Sequence, residues 1–96
     1  MADKIIPKRR LVTEKENLIE IVAWKVPKSK FYPEGIKYSF TFIHKEKRLI
    51  AFDNFNNERH HRHFFDKKES CEFQSLEETA YKFFSLVEEF ESKQCE

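Results

Sequence analysis

The chain has 96 residues, 40% hydrophobic and 36% charged with eleven Phe, which suits one domain with one core and is too little for two. No apolar run approaches the roughly 20 residues that cross a bilayer, and Lys4, Lys8, Arg9 and Arg10 precede no apolar stretch of the kind a secretory signal carries, so the expected setting is cytoplasmic with no membrane partner. The net charge of +1 hides a division: residues 1–68 hold sixteen Lys/Arg against nine Asp/Glu, a net +7, and residues 69–96 hold a net −6.

In chain order, residues 1–9 read as a flexible lead-in and 10–54 as an antiparallel sheet. A short strand near Arg10 to Glu14 turns at Asn17 into Leu18 to Val26, rich in β-branched and aromatic residues and ended by Pro27. From Ile36 to His44 the alternation is clean, with Ile36, Tyr38, Phe40 and Phe42 on one face and Lys37, Ser39 and Thr41 on the other. A charged turn, His44 to Lys47, contains no glycine, and His44 is expected at the surface. Arg48 to Asn54 returns as the antiparallel partner.

Residues 55–74 show neither the strand nor the helix period and read as a His/Arg-rich loop leading to a short extended segment, Glu72 to Gln74. Ser75 and Glu78 have capping-box spacing and open an amphipathic helix over 75–93. Its apolar stripe is Leu76, Ala80, Phe83, Val87 and Phe90, joined by Phe84, while Glu77, Glu88, Glu89 and Glu91 face water. The expected fold class is α+β, an antiparallel β-meander of about four strands packed by one C-terminal helix. A helix of about 18 residues is about 27 Å long, too far for a disulfide between Cys71 and Cys95 at its ends. Neither belongs to a ligand-spaced set. With one glycine in the chain, Walker and Rossmann phosphate loops are excluded.

Chemistry concentrates in Arg59-His60-His61-Arg62-His63, shortly after Asp53 and Asn54 at a strand end. On extended backbone His61 and His63 point to one side, about 7 Å apart, and Arg62 to the other. Two imidazoles with ordinary pKa near 6.5 serve as general base and general acid at neutral pH. In RNA cleavage one takes the 2′-hydroxyl proton and the other protonates the leaving 5′-oxygen, while an arginine stabilises the phosphorane. Asp53 orients one imidazole, Asn54 positions substrate, and Arg59, Arg62 and Lys37 are the candidate phosphate contacts. A second reading makes His61, His63 and Asp53 the ligands of a metal. A third makes the segment an exposed basic loop with ordinary hydrogen bonds. Trp24 and the aromatic residues Tyr38, Phe40 and Phe42 read as core rather than as platforms for bases.

The motifs Trp24-Lys25-Val26-Pro27, Gly35-Ile36-Lys37-Tyr38, Phe52-Asp53-Asn54, His61-Arg62-His63, and Phe73 with Ser75-Leu76-Glu77 occur in the order of one family. The chain resembles the TumE-like toxin components of prokaryotic toxin–antitoxin systems over roughly Leu18 to Phe90. The resemblance implies a toxin-like protein acting on RNA, encoded beside a helix-turn-helix DNA-binding protein that serves as antitoxin. The family carries an acidic residue before its His-Arg-His, often after glycine. Here Arg59 and His60 stand at those positions, which leaves Asp53 as the nearest carboxylate. The site expected is therefore His61, His63 and Asp53 for catalysis and Arg62, Lys37, Asn54 and Arg59 for substrate, with no metal or cofactor. The competing reading is a non-catalytic module whose Glu88, Glu89 and Glu91 bind a basic helix-turn-helix partner; homodimerisation is left open.

Overall fold

A computed structural model describes residues 3–55 and 60–93. Its elements are β1 (Asp3–Val12), β2 (Leu18–Lys25), β3 (Ile36–His44), β4 (Lys47–Asp53), β5 (His61–Phe64), β6 (Lys67–Ser70) and α1 (Leu76–Ser92). The strands pair antiparallel in sequence order, one six-stranded meander, and the helix comes last. The expected α+β meander with a C-terminal helix stands, and its count of about four strands is corrected to six.

The added strand content lies at the two edges of the sheet. β1 begins at Asp3 rather than near Arg10, with register shifts between Lys4 and Ile6 and between Ile6 and Arg9. Pro7 falls in the second shift, and the basic residues beside it suit an edge strand, where proline and charge oppose pairing with another chain. The segment read as a loop is instead the hairpin β5–β6, with His61 opposite Ser70 and Phe64 opposite Lys67. Its four-residue strands carry too few apolar side chains for alternation to show. The extended segment expected over Glu72 to Gln74 is not a strand.

The helix starts as its sequence demands: Ser75 is extended at the N-cap and its Oγ accepts the Glu78 N–H at 3.0 Å. Phe83 and Val87 are buried against Tyr38, Phe40 and Phe42 of β3 and Ile50 and Phe52 of β4, with Leu76, Ala80 and Phe90 packed around them. The helix lies over β3 and β4. Phe84, placed in the stripe by its spacing, sits at the flank and is 39% exposed.

Two turns depart from expectation. Lys45 and Glu46 both have positive φ, 50° and 66°, so the glycine-free hairpin adopts the mirror-image turn whose twist matches the strands it joins. His44 is half-buried rather than on the surface. Its Nδ1 donates to Asn17 Oδ1 at 2.7 Å and its ring meets Phe90 edge-on at 5.2 Å. Asn17 Nδ2 in turn donates to Glu91 Oε2 at 2.7 Å, an oxygen that also accepts from the Thr13 hydroxyl. Glu91 therefore fastens the end of the helix to the β1–β2 turn instead of facing water.

Candidate functional site

Alternation divides the sheet into a covered face and an open one. Tyr38, Phe40, Phe42, Ile50 and Phe52 lie under the helix, and the residues between them emerge on the opposite face. In register, Ser39 pairs with Asp53, Asp53 with His61, Ala51 with His63 and His63 with Lys68. Four neighbouring strands thus set Ser39, Asp53, His61, His63 and Lys68 side by side on the open face.

His61 Nε2 lies 2.9 Å from Asp53 Oδ1, both residues buried. The same carboxylate oxygen accepts the Phe55 N–H at 3.2 Å, which holds it in place as the chain leaves β4. The His61 and His63 rings meet edge-on with centroids 5.3 Å apart. Potential ligand atoms of Asp53, His61 and His63 all fall within 4.8 Å of one another. Around them Ser39, Arg48, Phe55 and Lys68 complete a hollow of about 280 Å³. Burial first, and then the Arg48 guanidinium whose Nη2 is 3.4 Å from Nδ1, lower the pKa of His63 below its ordinary value.

Of the residues singled out in the sequence, the structure brings together Asp53, His61 and His63. Arg62 lies on the covered side of β5, opposite Phe52 and Glu69 in the register, with Nη2 3.2 Å from Glu69 Oε1. It is not beside the two imidazoles. Lys37 shares the open face, but its Nζ sits 4.7 Å from the centre of the Phe55 ring, outside the hollow. Arg59 lies outside the described residues.

Asn54 is only 1% exposed and knits the strand end to β3: its Oδ1 accepts the Tyr38 N–H at 3.0 Å and its Nδ2 donates to the Ile36 carbonyl at 2.8 Å. Asn54→Ala leaves two buried backbone groups without partners and should destabilise the fold by about 1–3 kcal/mol or more. A urea titration reads this; an unchanged midpoint would contradict the bridging role.

His60 belongs to a separate arrangement. Its Nδ1 is 2.9 Å from the Tyr38 hydroxyl, its Nε2 is 3.0 Å from Glu34 Oε1, and its ring stacks on Phe73 at 4.3 Å. Burial above all pushes the Tyr38 phenol far up, so that it remains a neutral hydrogen-bonding group. Burial also raises the Cys71 thiol, favouring its unreactive protonated form; Cys95 lies outside the described residues.

Arg48 is the main participant the sequence pattern conceals. Counting back by twos from Asp53 predicts the covered face for position 48. The register slips between Phe42–Ile50 and Ile43–Arg48, so that Leu49 has no opposite residue on β3 and Arg48 emerges on the open face. Trp24, expected in the core, is instead half-buried on the open face with its ring 5.8 Å from Phe55.

A family model described as Toxin TumE matches residues 2–91. The chain belongs to the TumE toxin family. The match covers all six strands, including β1 and the β5–β6 hairpin, and the helix up to its penultimate residue, so the site lies wholly inside the family region. No curated protein and no solved structure gives a significant match. Among the described residues no helix is long and apolar enough to cross a membrane.

Proposed function

We propose that this chain is the toxin of a toxin–antitoxin pair and cleaves RNA with His63 as general base and His61 as general acid. The observation that carries the reading is the placement of both imidazoles on one sheet face, His61 against Asp53 at 2.9 Å and His63 beside Arg48. His63, with its lowered pKa, is neutral at pH 7 and accepts the proton of a 2′-hydroxyl. That oxygen forms a bond to the adjacent phosphorus, the bond to the 5′-oxygen breaks, and His61 supplies the proton the leaving oxygen takes up. The products are a 2′,3′-cyclic phosphate and a 5′-hydroxyl end. Arg48, not Arg62, is positioned to offset charge developing on the phosphoryl oxygens. Asp53 accepts the Nε2 proton of His61 and orients the ring. Lys68, at the edge of the hollow, adds positive charge toward the phosphate chain.

In this reading the partner is a helix-turn-helix protein acting as antitoxin, and a toxin that cleaves cellular RNA works in the cytoplasm. Glu91 is committed to Thr13 and Asn17, and Glu89 pairs with Lys93 at 3.3 Å, so of these three carboxylates Glu88 is the one that meets a basic partner on that helix.

One observation favours a second reading: three ligand atoms within 4.8 Å, from two imidazoles and a carboxylate, suit a divalent transition metal with open positions. The two readings separate when purified protein is incubated with single-stranded RNA, with and without chelator, beside His61→Ala and His63→Ala. Cleavage that survives chelation and fails in both variants supports acid–base chemistry. Loss on chelation moves the mechanism to a metal, and equal cleavage by all three proteins overturns both readings.

A further inference from the structure

The face away from the helix bears more than the imidazole hollow. A second hollow of about 290 Å³ adjoins it, lined by Lys8 of β1, Trp24 of β2 and Thr41 of β3, and sharing Ser39 and Phe55 with the first. Together they make one continuous depression running from β5 across β4, β3 and β2 to β1. From strand spacing and rise, Trp24 stands roughly 12 Å from Asp53, close enough for a nucleotide neighbouring the one that reacts. Trp24 and Phe55 form a tilted pair with ring centroids 5.8 Å apart and planes at 37°. Lys37 Nζ lies 4.7 Å from the Phe55 ring centre and 5.9 Å from that of Tyr32.

Charge on this face complements a phosphate chain. Two of its carboxylates are matched within the protein, Glu20 by Arg10 at 2.7 Å and Asp53 by His61 at 2.9 Å. Lys8, Lys37, Arg48 and Lys68 stand around the depression. Half-buried aromatic rings on an uncovered sheet, bordered by cations, are what an unpaired base with a flanking phosphate requires. A duplex keeps its bases stacked and offers the rings no face.

We propose that the open sheet face is a track for single-stranded RNA, in which Trp24 and Phe55 stack an unpaired base beside the imidazole hollow and Lys8 and Lys37 contact flanking phosphates. The proposal rests on the RNA-cleavage reading for its choice of ligand, but its test measures binding alone. Trp24 is the only tryptophan of the chain and reports directly on the subsite. The full-length protein is titrated with a 2′-O-methyl RNA octamer, which lacks the 2′-hydroxyl nucleophile, and with the same sequence as a duplex.

The expected result is a saturable change in Trp24 fluorescence with the single strand and a much weaker one with the duplex. By anisotropy of a labelled octamer, Trp24→Ala and Phe55→Ala should each weaken binding about 5- to 150-fold, the range that stacking energies convert to. Trp24→Phe should restore most of the loss, which controls for misfolding, and Lys37→Gln should flatten the salt dependence. Equal response to the duplex, or octamer affinity unchanged in both aromatic variants, overturns the proposal. A protein that cleaves RNA but binds the octamer independently of Trp24 fails this proposal and keeps the cleavage reading. One that binds through Trp24 without cleaving RNA does the reverse.

Discussion

His63→Ala should slow RNA cleavage by about 100- to 10,000-fold, the range over which a positioned proton acceptor acts. The size follows from the place of the ring, on the same face as His61 with centroids 5.3 Å apart, where one imidazole serves each proton transfer and loss of His63 leaves the 2′-hydroxyl without its acceptor. The pH dependence gives the assignment its sign. Burial and Arg48 lower the His63 pKa, so the ring stays neutral to a pH below the ordinary 6.5 of histidine and the acid limb of the rate profile should lie below that value. Removing the guanidinium in Arg48→Gln relieves repulsion of the imidazolium, raises the pKa and moves the acid limb to higher pH. The same substitution lowers the plateau, because the phosphoryl charge loses its partner. An acid limb that stays put in Arg48→Gln while the plateau falls would deny that the limb belongs to His63. His61→Ala should cost a comparable factor, and Asp53→Asn less, since the amide retains an oxygen able to accept from Nε2.

Much of this arrangement is legible in the residues, and the remainder is hidden for identifiable reasons. Period-two alternation in Ile36 to His44 and 3.6-period recurrence from Leu76 to Phe90 mark a sheet face and the helix that covers it, because both elements are half-buried and burial writes the pattern. The edge strand β1 and the β5–β6 hairpin at the other edge carry few buried apolar side chains, so residues 3–9 read as a tail, with strand expected only from near Arg10, and His61–Ser70 reads as loop. The pairing of His61 and His63 required only extended backbone. Which arginine joins them depended on a register slip at Leu49 that moves Arg48 across the sheet, and a bulge without glycine or proline leaves no mark in composition. Trp24 misled for the opposite reason: it stands in an apolar run, and that run is apolar on both faces although the helix covers only one. Asn54 reads as a polar strand-end residue free for substrate, whereas its amide replaces ladder hydrogen bonds where β4 leaves β3.

Phe83→Ala is expected to be the most destabilising change in the helix, at about 3–5 kcal/mol for removing a fully buried phenyl ring. Phe83 is wholly inaccessible, and its ring contacts Phe40 at 5.8 Å on β3 and Phe52 at 6.5 Å on β4. Because the helix lies over those two strands, this one side chain reaches both partners that hold it down. Small domains have about 5–15 kcal/mol in total, so the urea midpoint should fall steeply, and thermal melting should follow. Phe84→Ala is the control, since Phe84 adjoins Phe83 at 5.1 Å but is 39% exposed, and it should cost distinctly less. Equal losses at the two positions would mean that the helix is held by its flank rather than its buried stripe. The consequence reaches the other face of the sheet, for Phe52 under the helix and Asp53 in the hollow are successive residues of β4. Loosening Phe52 frees the strand that aims the carboxylate at His61. Cleavage by Phe83→Ala should therefore decline at a lower temperature than its melting midpoint, whereas His63→Ala should melt like the parent and be slowed to a similar degree at every temperature below its midpoint.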